Sequence, residues 1–514
     1  MSSEYVIGCD VGSQGTNAAL YTAGGELVDS AYEPYDVSFP HPGWAEQDAG
    51  LWDRAIRSAV RRLVDGLDGP AGAIRAISFG SQLDGQVPID GSGRALRPCL
   101  IWMDRRAEAQ AQALAETISP QRFYELSGAN LDSSHGVFKV LWVRDEEPDV
   151  FASARHFVTP GTYAVWTCSG ELCVDPSNGS SAALLDPRTR EWSDELLAAT
   201  GLDASLMVPV CRSTEPVGKV TGEFAGATGL DRSTLVVAGC GDEMAATLGA
   251  GVRAEGEVCD VVGTAEPVCA SSAEPHADPT MLVECHPHAD PDSWLMENPG
   301  FVSGGNLRWF RDQLGGLERA VEDAGGGDAY DLLCREASHV APGADGLVFL
   351  PCMQGAMAPE WNGAARGVFY GLTLAHTRAH MCRALLEGSA FALRDILEAM
   401  DGAGLEPRRL TIVGGGAKGQ LWRQIKADVT GLPVRVPESV ETTAGGAAVL
   451  AAVGAGLYPS CAEAADSFVR FRPDEEQPDE EARAVYERAY ALYREVYSAA
   501  KPVFDRDAGD AVPA

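Results

Sequence analysis

An acidic pair lies in a glycine-rich turn near the middle of the chain, where its carboxylates could take part in chemistry. The stretch VAGCGDEMAATLGAG, residues 237–251, joins an apolar strand-like run to an alanine-rich helix-like run, with Asp242 and Glu243 between them. The preceding Gly-Cys-Gly lets the main chain approach a ligand closely, because glycine has no side chain to intrude. This pattern fits either a functional carboxylate or an acidic helix start.

A second carboxylate precedes a turn near the N-terminus. In YVIGCDVGSQGTNAALYT, Asp10 comes late in a strand-like run, residues 12–16 form a tight turn, and a second strand follows. A carboxylate there can hold Mg²⁺ directly or through water, while the N–H groups of the turn face phosphate. Ser13, Gln14 and Thr16 add side-chain donors. We interpret the stretch as a metal–phosphate hairpin.

Two more glycine turns follow apolar runs in the second half. GEVCDVVGTAEPVCA, residues 256–270, repeats the layout of strand, Gly–Thr turn and strand, and LTIVGGGAKGQLWRQIKADVTG places residues 414–416 between a strand and a helix. Glycines before a helix expose N–H groups to which phosphate binds well. Such turns also serve packing alone, but three in one chain favour phosphate binding. P-loop and protein-kinase motifs are absent from the sequence.

The elements around these turns predict an α/β protein with internal duplication. Strands over residues 5–9 and 18–21, a hairpin turn at 23–25 and a third strand give an antiparallel start. A helix over residues 48–67 and a strand over residues 74–79 follow. The layout restarts near residue 253, so each half would present a glycine turn to a shared cleft. Near-helical spacing predicts a final helix with Val485, Tyr486, Tyr490, Leu492, Tyr493 and Val496 on its apolar face.

Composition limits the classes of function. A chain of 514 residues is too long to fold around a single hydrophobic core, because such cores stop growing near roughly 250–300 residues. Two domains are therefore expected. The net charge is −34, from 74 acidic and 40 basic residues, and without a basic stripe we expect neither nucleic-acid nor membrane partners. Thirteen cysteines without a C-x-x-C pair predict reduced, buried thiols. The absence of a signal-peptide pattern or long apolar run predicts a cytoplasmic protein.

Two longer motifs make the chain resemble the FGGY carbohydrate kinases, members of the actin-like ATPase superfamily, and among them the xylulokinases. SSHGVFKVLW carries the Lys139-x-x-Trp142 spacing of one family signature, and GVFYGLTLAHTRAHMCRALLE, residues 367–387, matches the second. The resemblance runs from about Tyr5 to Tyr458. It implies two duplicated actin-like (ribonuclease H-like) α/β domains, over residues 1–252 and 253–514, with a catalytic cleft between them.

The resemblance also implies the reaction, transfer of the ATP γ-phosphoryl group to a sugar hydroxyl. By motif, Asp10 would act on Mg²⁺, and Asp242 would be the general base, kept ionised by the helix dipole. ATP would contact Gly12, Ser13, Gln14, Gly15, Thr16, Gly263, Thr264, Gly304, Gly305, Gly415, Gly416 and Gln420. The sugar would lie near Leu83, Asp84, Trp102, Asp104, Asp242 and Glu243.

The sugar end departs from the xylulokinase pattern. Asp84 stands where these kinases carry histidine, and could accept from vicinal hydroxyls or be a turn aspartate. Glu243 stands where Asn or Gln is common, and either binds a substrate hydroxyl or faces away. Residues 355–359, Gly-Ala-Met-Ala-Pro, replace Gly-Glu-Arg-x-Pro. Trp102 could also be a purely structural wall, and ECHPHAD, residues 284–290, reads as a loop or strand rather than a metal site.

These features predict an ATP-dependent ketopentose kinase, with D-xylulose as the first candidate substrate. Ribulose, L-xylulose, erythritol, gluconate and glycerol remain alternatives, because specificity lies where the sequence departs from the pattern. An actin-like ATPase switch and a sugar-binding regulator without catalysis are alternatives of a different class. The two signatures argue against the switch, and retention of Asp10 and Asp242 argues against the regulator. The resemblance further suggests a homodimer.

Overall fold

A computed structural model of the chain describes residues 4–510. In chain order, the strands of the first half are β1 (Tyr5–Val11), β2 (Gly15–Thr22), β3 (Leu27–Pro34), β4 (Glu46–Gln47), β5 (Ile74–Ser81), β6 (Val87–Ile89), β7 (Cys99–Leu100), β8 (His156–Val158), β9 (Leu185–Asp186), β10 (Glu191–Trp192), β11 (Pro216–Lys219), β12 (Leu235–Val237) and β13 (Cys240–Gly241). Its helices are α1 (Ala49–Gly66), α2 (Glu108–Thr117), α3 (Pro120–Ser127), α4 (Gly136–Glu146), α5 (Pro148–Ser153), α6 (Pro160–Ser169), α7 (Pro176–Ser181), α8 (Asp194–Thr200), α9 (Gly222–Thr228) and α10 (Asp242–Gly249).

The second half follows in the same way. Its strands are β14 (Glu257–Val261), β15 (Ala265–Ser272), β16 (Glu284–Pro287), β17 (Trp294–Val302), β18 (Val348–Leu350), β19 (Val368–Tyr370), β20 (Arg409–Val413) and β21 (Val434–Arg435). Its helices are α11 (Gly304–Leu314), α12 (Gly316–Asp323), α13 (Ala329–Ala337), α14 (Arg378–Gly402), α15 (Gln420–Thr430), α16 (Thr442–Gly454), α17 (Cys461–Phe468) and α18 (Glu480–Asp510). Short 3-10 turns cover Ala71–Ala73, Ala204–Leu206, Ala344–Gly346 and Gly415–Lys418.

Two mixed sheets share one layout. In the first sheet, β1, β2 and β3 form an antiparallel meander, and β5 and β12 lie parallel to β1 on its other side. The strand order is β11-β12-β5-β1-β2-β3, and β13 also pairs with β5. In the second, β14, β15 and β17 form the meander and β20 and β21 the parallel side, in the order β16-β17-β15-β14-β20-β21. The predicted duplicated α/β fold is therefore confirmed, with longer strands than the sequence indicated.

Helix α1 forms because an apolar stripe and a cap coincide. The Asp48 carboxylate accepts a hydrogen bond from the Gly50 N–H at 3.0 Å, which satisfies one free donor of the first turn. Trp52, Ile56 and Leu63 are buried in the core that the helix shares with β2 and β3. The predicted helix over residues 48–67 is confirmed with its caps.

Helix α16 joins the two halves through close main-chain contacts. It packs against β1, β5 and α10, although it follows the second sheet in sequence. A Cβ on Gly8 would lie 1.9 Å from the Ala444 carbonyl oxygen, and a Cβ on Gly446 would lie 1.9 Å from the Ala245 carbonyl oxygen. Because no side chain fits there, α16 holds the strands and helix of the first half at main-chain distance.

The final helix covers the core of the second half, as its apolar spacing predicts. Tyr486 and Tyr493 are fully buried in α18. Tyr486 Oη donates to Glu387 Oε1 at 3.0 Å, and Arg383 Nε donates to the same oxygen at 2.7 Å. The glutamate of the second signature therefore anchors α18. All thirteen cysteines are free thiols, as predicted. Across residues 4–510, no helix combines the length and the apolar character needed to span a membrane.

Candidate active site

The turn between β1 and β2 is braced by two tyrosines. The Gly12 N–H donates to the Gly15 carbonyl at 3.1 Å, and Tyr35 Oη donates to the Gly12 carbonyl at 2.7 Å. Tyr32 packs so closely that a Cβ on Gly15 would lie 2.4 Å from its ring. Thr16 is buried in β2, where its Oγ1 contacts Tyr35 Oη at 3.3 Å. The turn therefore presents its main chain and the side chains before Thr16.

Asp10 lies in β1 beside this turn. Burial and the neighbouring Glu441 carboxylate raise its pKa to about 7. Asn17 Nδ2 donates a hydrogen bond to Glu441, which fixes that second carboxylate. These two carboxylates lie close to the turn, and within residues 4–510 neither forms an ion pair with a basic side chain; such oxygen donors fit Mg²⁺. The sequence singled out Asp10 but not Glu441, which begins the approach to α16.

Asp242 is the first residue of α10, with Gly241 as its N-cap. The Glu243 N–H donates to Asp242 Oδ1 at 3.1 Å. Burial, followed by the charges of Glu243 and Asp10, nevertheless raises the pKa of Asp242 well above its usual value. The N–H groups at the start of the helix favour the ionised form of Asp242, whereas burial and two like charges oppose it. A raised pKa strengthens a carboxylate as a proton acceptor.

Strand register brings the two aspartates to one edge of the first sheet. Asp10 pairs with Gly80, and Gly80 pairs with Cys240, so β1, β5 and β13 run parallel and end together. Neighbouring strands lie about 4.8 Å apart, which separates the Asp10 and Cys240 main chains by about 10 Å. Asp242 follows Cys240 by two residues. The carboxyl ends of these strands are where α/β folds commonly bind ligands.

The loop after β5 supplies the predicted sugar residues Leu83 and Asp84. Leu83 packs against Gly241, where a Cβ would lie 2.3 Å from Leu83 Cδ2. Asp84 has a left-handed backbone with φ of 60°, and Lys139 Nζ donates to its carbonyl at 2.8 Å. Lys139 also donates to the Ser134 carbonyl. The lysine of the first signature thus holds the loop main chain.

An acid–histidine chain that was not predicted extends from Asp84 to the second sheet. His135 Nδ1 lies 3.2 Å from Asp84 Oδ1, and His135 Nε2 lies 3.4 Å from Glu284 Oε1. Burial alone would lower the pKa of His135, but the charges of Glu284 and Asp84 raise it well above its usual value. His286 continues the chain, with Nε2 3.3 Å from Glu284 Oε2. His135 therefore lies between two carboxylates, which favour its protonated form.

ECHPHAD forms strand β16, in line with the prediction of a loop or strand. Glu284 and His286 share one face because strand side chains alternate, and this spacing was the signal that could have identified them. Cys285 lies between them in sequence, and burial raises the pKa of its thiol to about 12. His288 contacts the Val252 carbonyl at 3.4 Å, and burial lowers its pKa to about 4.

Trp102 and Asp104 lie in different environments. The Trp102 side chain is 45% exposed, and its Nε1 donates to Ser13 Oγ at 2.8 Å. Asp104 is fully buried, accepts from Arg106 Nη2 at 2.7 Å and accepts from the Ala45 N–H at 2.7 Å. Trp102 therefore links its own loop to the turn between β1 and β2, whereas the Asp104 oxygens are used within the protein.

The second glycine turn packs against the start of α11. The Gly263 N–H donates to the Ala265 carbonyl at 2.9 Å, and the Gly305 N–H donates to the Thr264 carbonyl at 3.0 Å. A Cβ on Gly304 would lie 2.2 Å from the Gly263 carbonyl oxygen. The turn and the helix can approach this closely only because residue 304 is glycine.

A cavity of about 500 Å³ opens beside this turn. The predicted residues that line it are Gly263, Thr264, Gly304, Gly415 and Gly416. Gly305 and Gln420 lie next to lining residues in the chain. Among the lining residues that were not predicted, Tyr330 and Trp422 supply aromatic surface and Arg308 and Lys418 supply positive charge. Arg308 Nη2 donates to Thr264 Oγ1 at 3.0 Å. Asp328 and Asp331 also line the cavity. A cavity with aromatic walls and two basic side chains, edged by glycine turns, suits a nucleotide.

The chain is similar to known proteins over almost its whole length. Residues 5–249 match the N-terminal domain of the FGGY family of carbohydrate kinases, and residues 260–455 match its C-terminal domain. Gluconokinase of Bacillus subtilis (strain 168) is 29% identical over 93% of both chains. Autoinducer-2 kinase of Salmonella paratyphi A is 33% identical over 98% of this chain and 96% of that protein. The structure of xylulose kinase from Rhodospirillum rubrum matches with a TM-score of 0.89 at 29% identity, over 98% of this chain and 100% of that chain.

Proposed function

The chain belongs to the FGGY family of carbohydrate kinases, and from this premise we propose that it phosphorylates a ketopentose, with D-xylulose as the first substrate. It is a phosphotransferase that acts on a sugar hydroxyl with ATP as the phosphate donor. In the proposed reaction, the terminal sugar hydroxyl loses its proton to Asp242 and attacks the γ-phosphorus. The product from D-xylulose would be xylulose 5-phosphate.

The observation that carries the proposal is the common edge formed by β1, β5 and β13. At this edge, Asp242 lies close enough to Asp10 for the charge of Asp10 to raise its pKa. Its neighbour Gly241 packs against Leu83. Phosphoryl transfer needs positioned phosphates, charge stabilisation and one group that accepts the hydroxyl proton. The turns at Gly12 and Gly263 would supply the positioning, and Asp242 would accept the proton.

Magnesium would be held by Asp10, with Glu441 close by. Bound there, the ion would neutralise charge on the phosphates of ATP. The raised pKa of Asp10, caused by burial and by Glu441, fits a carboxylate whose charge is balanced by a cation only when the substrate complex forms. Ser13 would then contact the transferred phosphate on one side and Trp102 on the other.

The charges at the sugar end favour an uncharged sugar over an aldonate. Asp84 and Asp242 approach the site, and two basic groups beside Asp84 are already held: His135 by Asp84 and Glu284, and Lys139 by the main-chain carbonyls of Asp84 and Ser134. A substrate carboxylate would meet like charges without a partner, which costs several kcal/mol in general. Gluconate is therefore disfavoured, while ribulose, L-xylulose, erythritol and glycerol remain compatible in charge.

Replacing the proposed base tests the mechanism. Asp242→Asn keeps shape and removes proton acceptance, so kcat should fall by about 10²–10⁴-fold while ATP binding persists. The matched control is Asp194→Asn, because Asp194 is the exposed first residue of α8 as Asp242 is the first residue of α10. Kinetics with nucleotide-binding calorimetry would measure both. Turnover of Asp242→Asn close to that of the control would rule out the base assignment.

A substrate panel tests the sugar. ADP release would be measured with D-xylulose, D-ribulose, L-xylulose, erythritol, glycerol and gluconate under identical conditions. D-xylulose should give the highest kcat/KM and gluconate the lowest. A preference for gluconate would overturn the charge argument, and a preference for another uncharged sugar would retain the kinase while changing its substrate.

A further inference from the structure

Two buried carboxyl groups face each other behind the proposed sugar site. Glu243 is the second residue of α10, and Glu297 lies in β17 with only 5% of its surface exposed. One oxygen of each carboxyl lies within 4.8 Å of the other and of Cys269 Sγ. Within residues 4–510, the Oε2 atom of each is buried and has no hydrogen-bond partner.

The surroundings of this pair are acidic. The ionisable groups that face it from α10, from the second sheet and from the loop after β5 are Asp84, Asp242, Cys259, Cys269, Glu284 and His286. His286 directs its ring nitrogens to Ser180 and Glu284. Farther out, His135 lies between Asp84 and Glu284. In the described part of the chain, no cationic side chain is within ion-pair distance of Glu243 or Glu297.

Two adjacent buried carboxylates without a cation cannot both stay ionised at low cost. Burial, followed by the charge of Glu297 and hydrogen bonding to it, raises the pKa of Glu243 well above its usual value. Burial also raises the pKa of Glu297 to about 7, and hydrogen bonding to Glu243 opposes that rise. The short separation of the two carboxyl groups, their unpartnered Oε2 atoms and both directions of shift favour a proton retained by the pair.

We propose that Glu243 and Glu297 share one proton, and that this proton holds Glu243 against β17 so that the sugar can bind beside Asp242. Glu243 is then a positioning residue. Loss of the proton would leave two repelling charges, and Glu243 would turn towards the cleft, into the space of the sugar hydroxyls. The positioning role rests on the proposed function, whereas the shared proton does not.

Isosteric amides separate this proposal from a plain structural role. In Glu297→Gln the amide donates to the Glu243 carboxylate at any pH, and in Glu243→Gln the roles are reversed. Either variant replaces the shared proton with a permanent hydrogen bond. The matched control is Glu481→Gln, an exposed position in the first turn of α18. Thermal melting would verify that all three variants fold.

Infrared spectroscopy tests the proton directly. At neutral pH, the difference spectrum of wild type minus Glu297→Gln should contain the C=O stretch of one protonated carboxyl group, and so should wild type minus Glu243→Gln. The control should show no such band. Absence of the band in both differences would overturn the shared proton. A metal ion found in the wild type but lost in Glu297→Gln would also overturn it.

Kinetics test the positioning. In the wild type, KM for the sugar should rise at alkaline pH, approaching tenfold per pH unit as one proton is lost. In both amide variants KM should stay constant over that range, and Glu297→Gln, which lies behind the proposed sugar site, should retain its kcat at neutral pH. Persistence of the wild-type rise in both variants would overturn the positioning role. If no sugar in the panel is phosphorylated, the proposed function and the positioning role both fail, while the infrared comparison still decides the shared proton.

Discussion

At the level of single residues, the buried carboxylates fall into two groups: those paired with an arginine and those without a cationic partner among the described residues. Asp104 and Glu387 are as buried as any carboxylate in the chain, yet each is neutralised by an arginine, Arg106 or Arg383. Asp242, by contrast, forms no ion pair within the described residues, and the charges of Glu243 and Asp10 add to burial in raising its pKa. Buried acids with strongly raised pKa values and no cation cost stability, so their retention is an argument for function.

Glu297 should make the fold less stable as pH rises from about 4.5 to about 7. Its pKa is raised to about 7 in the folded chain, from an ordinary value of 4.5. At pH values below its unfolded pKa, such a group adds its full contribution to the free energy of unfolding. This contribution, on the order of 3 kcal/mol, is lost as pH rises through the folded pKa. Glu297→Gln should therefore have a higher free energy of unfolding than the wild type at pH 8, but not at pH 4.

Urea denaturation at both pH values measures this difference. Glu481→Gln, whose side chain is exposed, serves as the control and should follow the wild type at both pH values. A Glu297→Gln variant that is less stable than the wild type at pH 8 would show that the ionised glutamate has a stabilising partner, contrary to the expectation.

Sequence reasoning found residues that carry their own local signal. Asp10 and Asp242 were identifiable because each adjoins a glycine turn between apolar runs. His135, Glu284 and Glu297 were missed, because only the fold brings these three segments of the chain together. Asp104 was misleading for the opposite reason: its neutralising partner, Arg106, is two residues away, but sequence does not reveal that the pair turns inward.

At the level of elements, buried charge ties the nucleotide segments together. Lys426 of α15 forms ion pairs with Glu266 of β15 at 2.8 Å and with Asp260 of β14. Ser303, just before α11, donates to Glu266. The helix after the third glycine turn, the hairpin of the second turn and the start of α11 thus share one network. Removing one partner of such a network leaves an uncompensated charge.

Gly304→Ala should separate α11 from the turn at Gly263. The added Cβ would meet the Gly263 carbonyl oxygen at 2.2 Å, a main-chain atom that can yield only if the turn moves. Overpacking of this kind costs about 1–3 kcal/mol. Because the turn borders the proposed nucleotide cavity, KM for ATP should rise by about tenfold or more, with a smaller change in KM for the sugar.

Gly316→Ala is the matched control, since Gly316 begins the neighbouring helix α12 and an added Cβ meets nothing within 4 Å. Initial-rate kinetics with each substrate varied in turn would separate the two KM values. Equal effects of Gly304→Ala on both substrates would indicate general loss of structure instead of a displaced nucleotide turn.

Helix α16 shows why some elements escape sequence reasoning. Its residues are alanine, glycine and other small or apolar types, and it is buried almost throughout. A helix that is apolar on all sides has no amphipathic period, so the pattern that revealed α1 is absent. The same lack of a polar face lets α16 pack between β1 and α10. The helix that joins the two halves therefore could not be identified from the hydrophobic pattern of the sequence.

At the level of the whole molecule, the net charge of −34 opposes compaction. Self-repulsion among surface charges destabilises a folded state, and salt screens it, since the Debye length falls from about 30 Å at 0.01 M to about 10 Å at 0.1 M. The melting temperature should therefore rise by a few degrees over that range of NaCl, because about 1 kcal/mol shifts the melting temperature of a large domain by roughly 2–4 °C. Differential scanning fluorimetry would measure the rise.

Two controls isolate the effect of charge repulsion. Sucrose at matched osmolality changes solvent exclusion without screening charges. A lower pH, nearer the isoelectric point of about 4.6, reduces the net charge, so the effect of salt on the melting temperature should be smaller there. A melting temperature that falls with NaCl at neutral pH would mean that the ion pairs of this chain outweigh its repulsion.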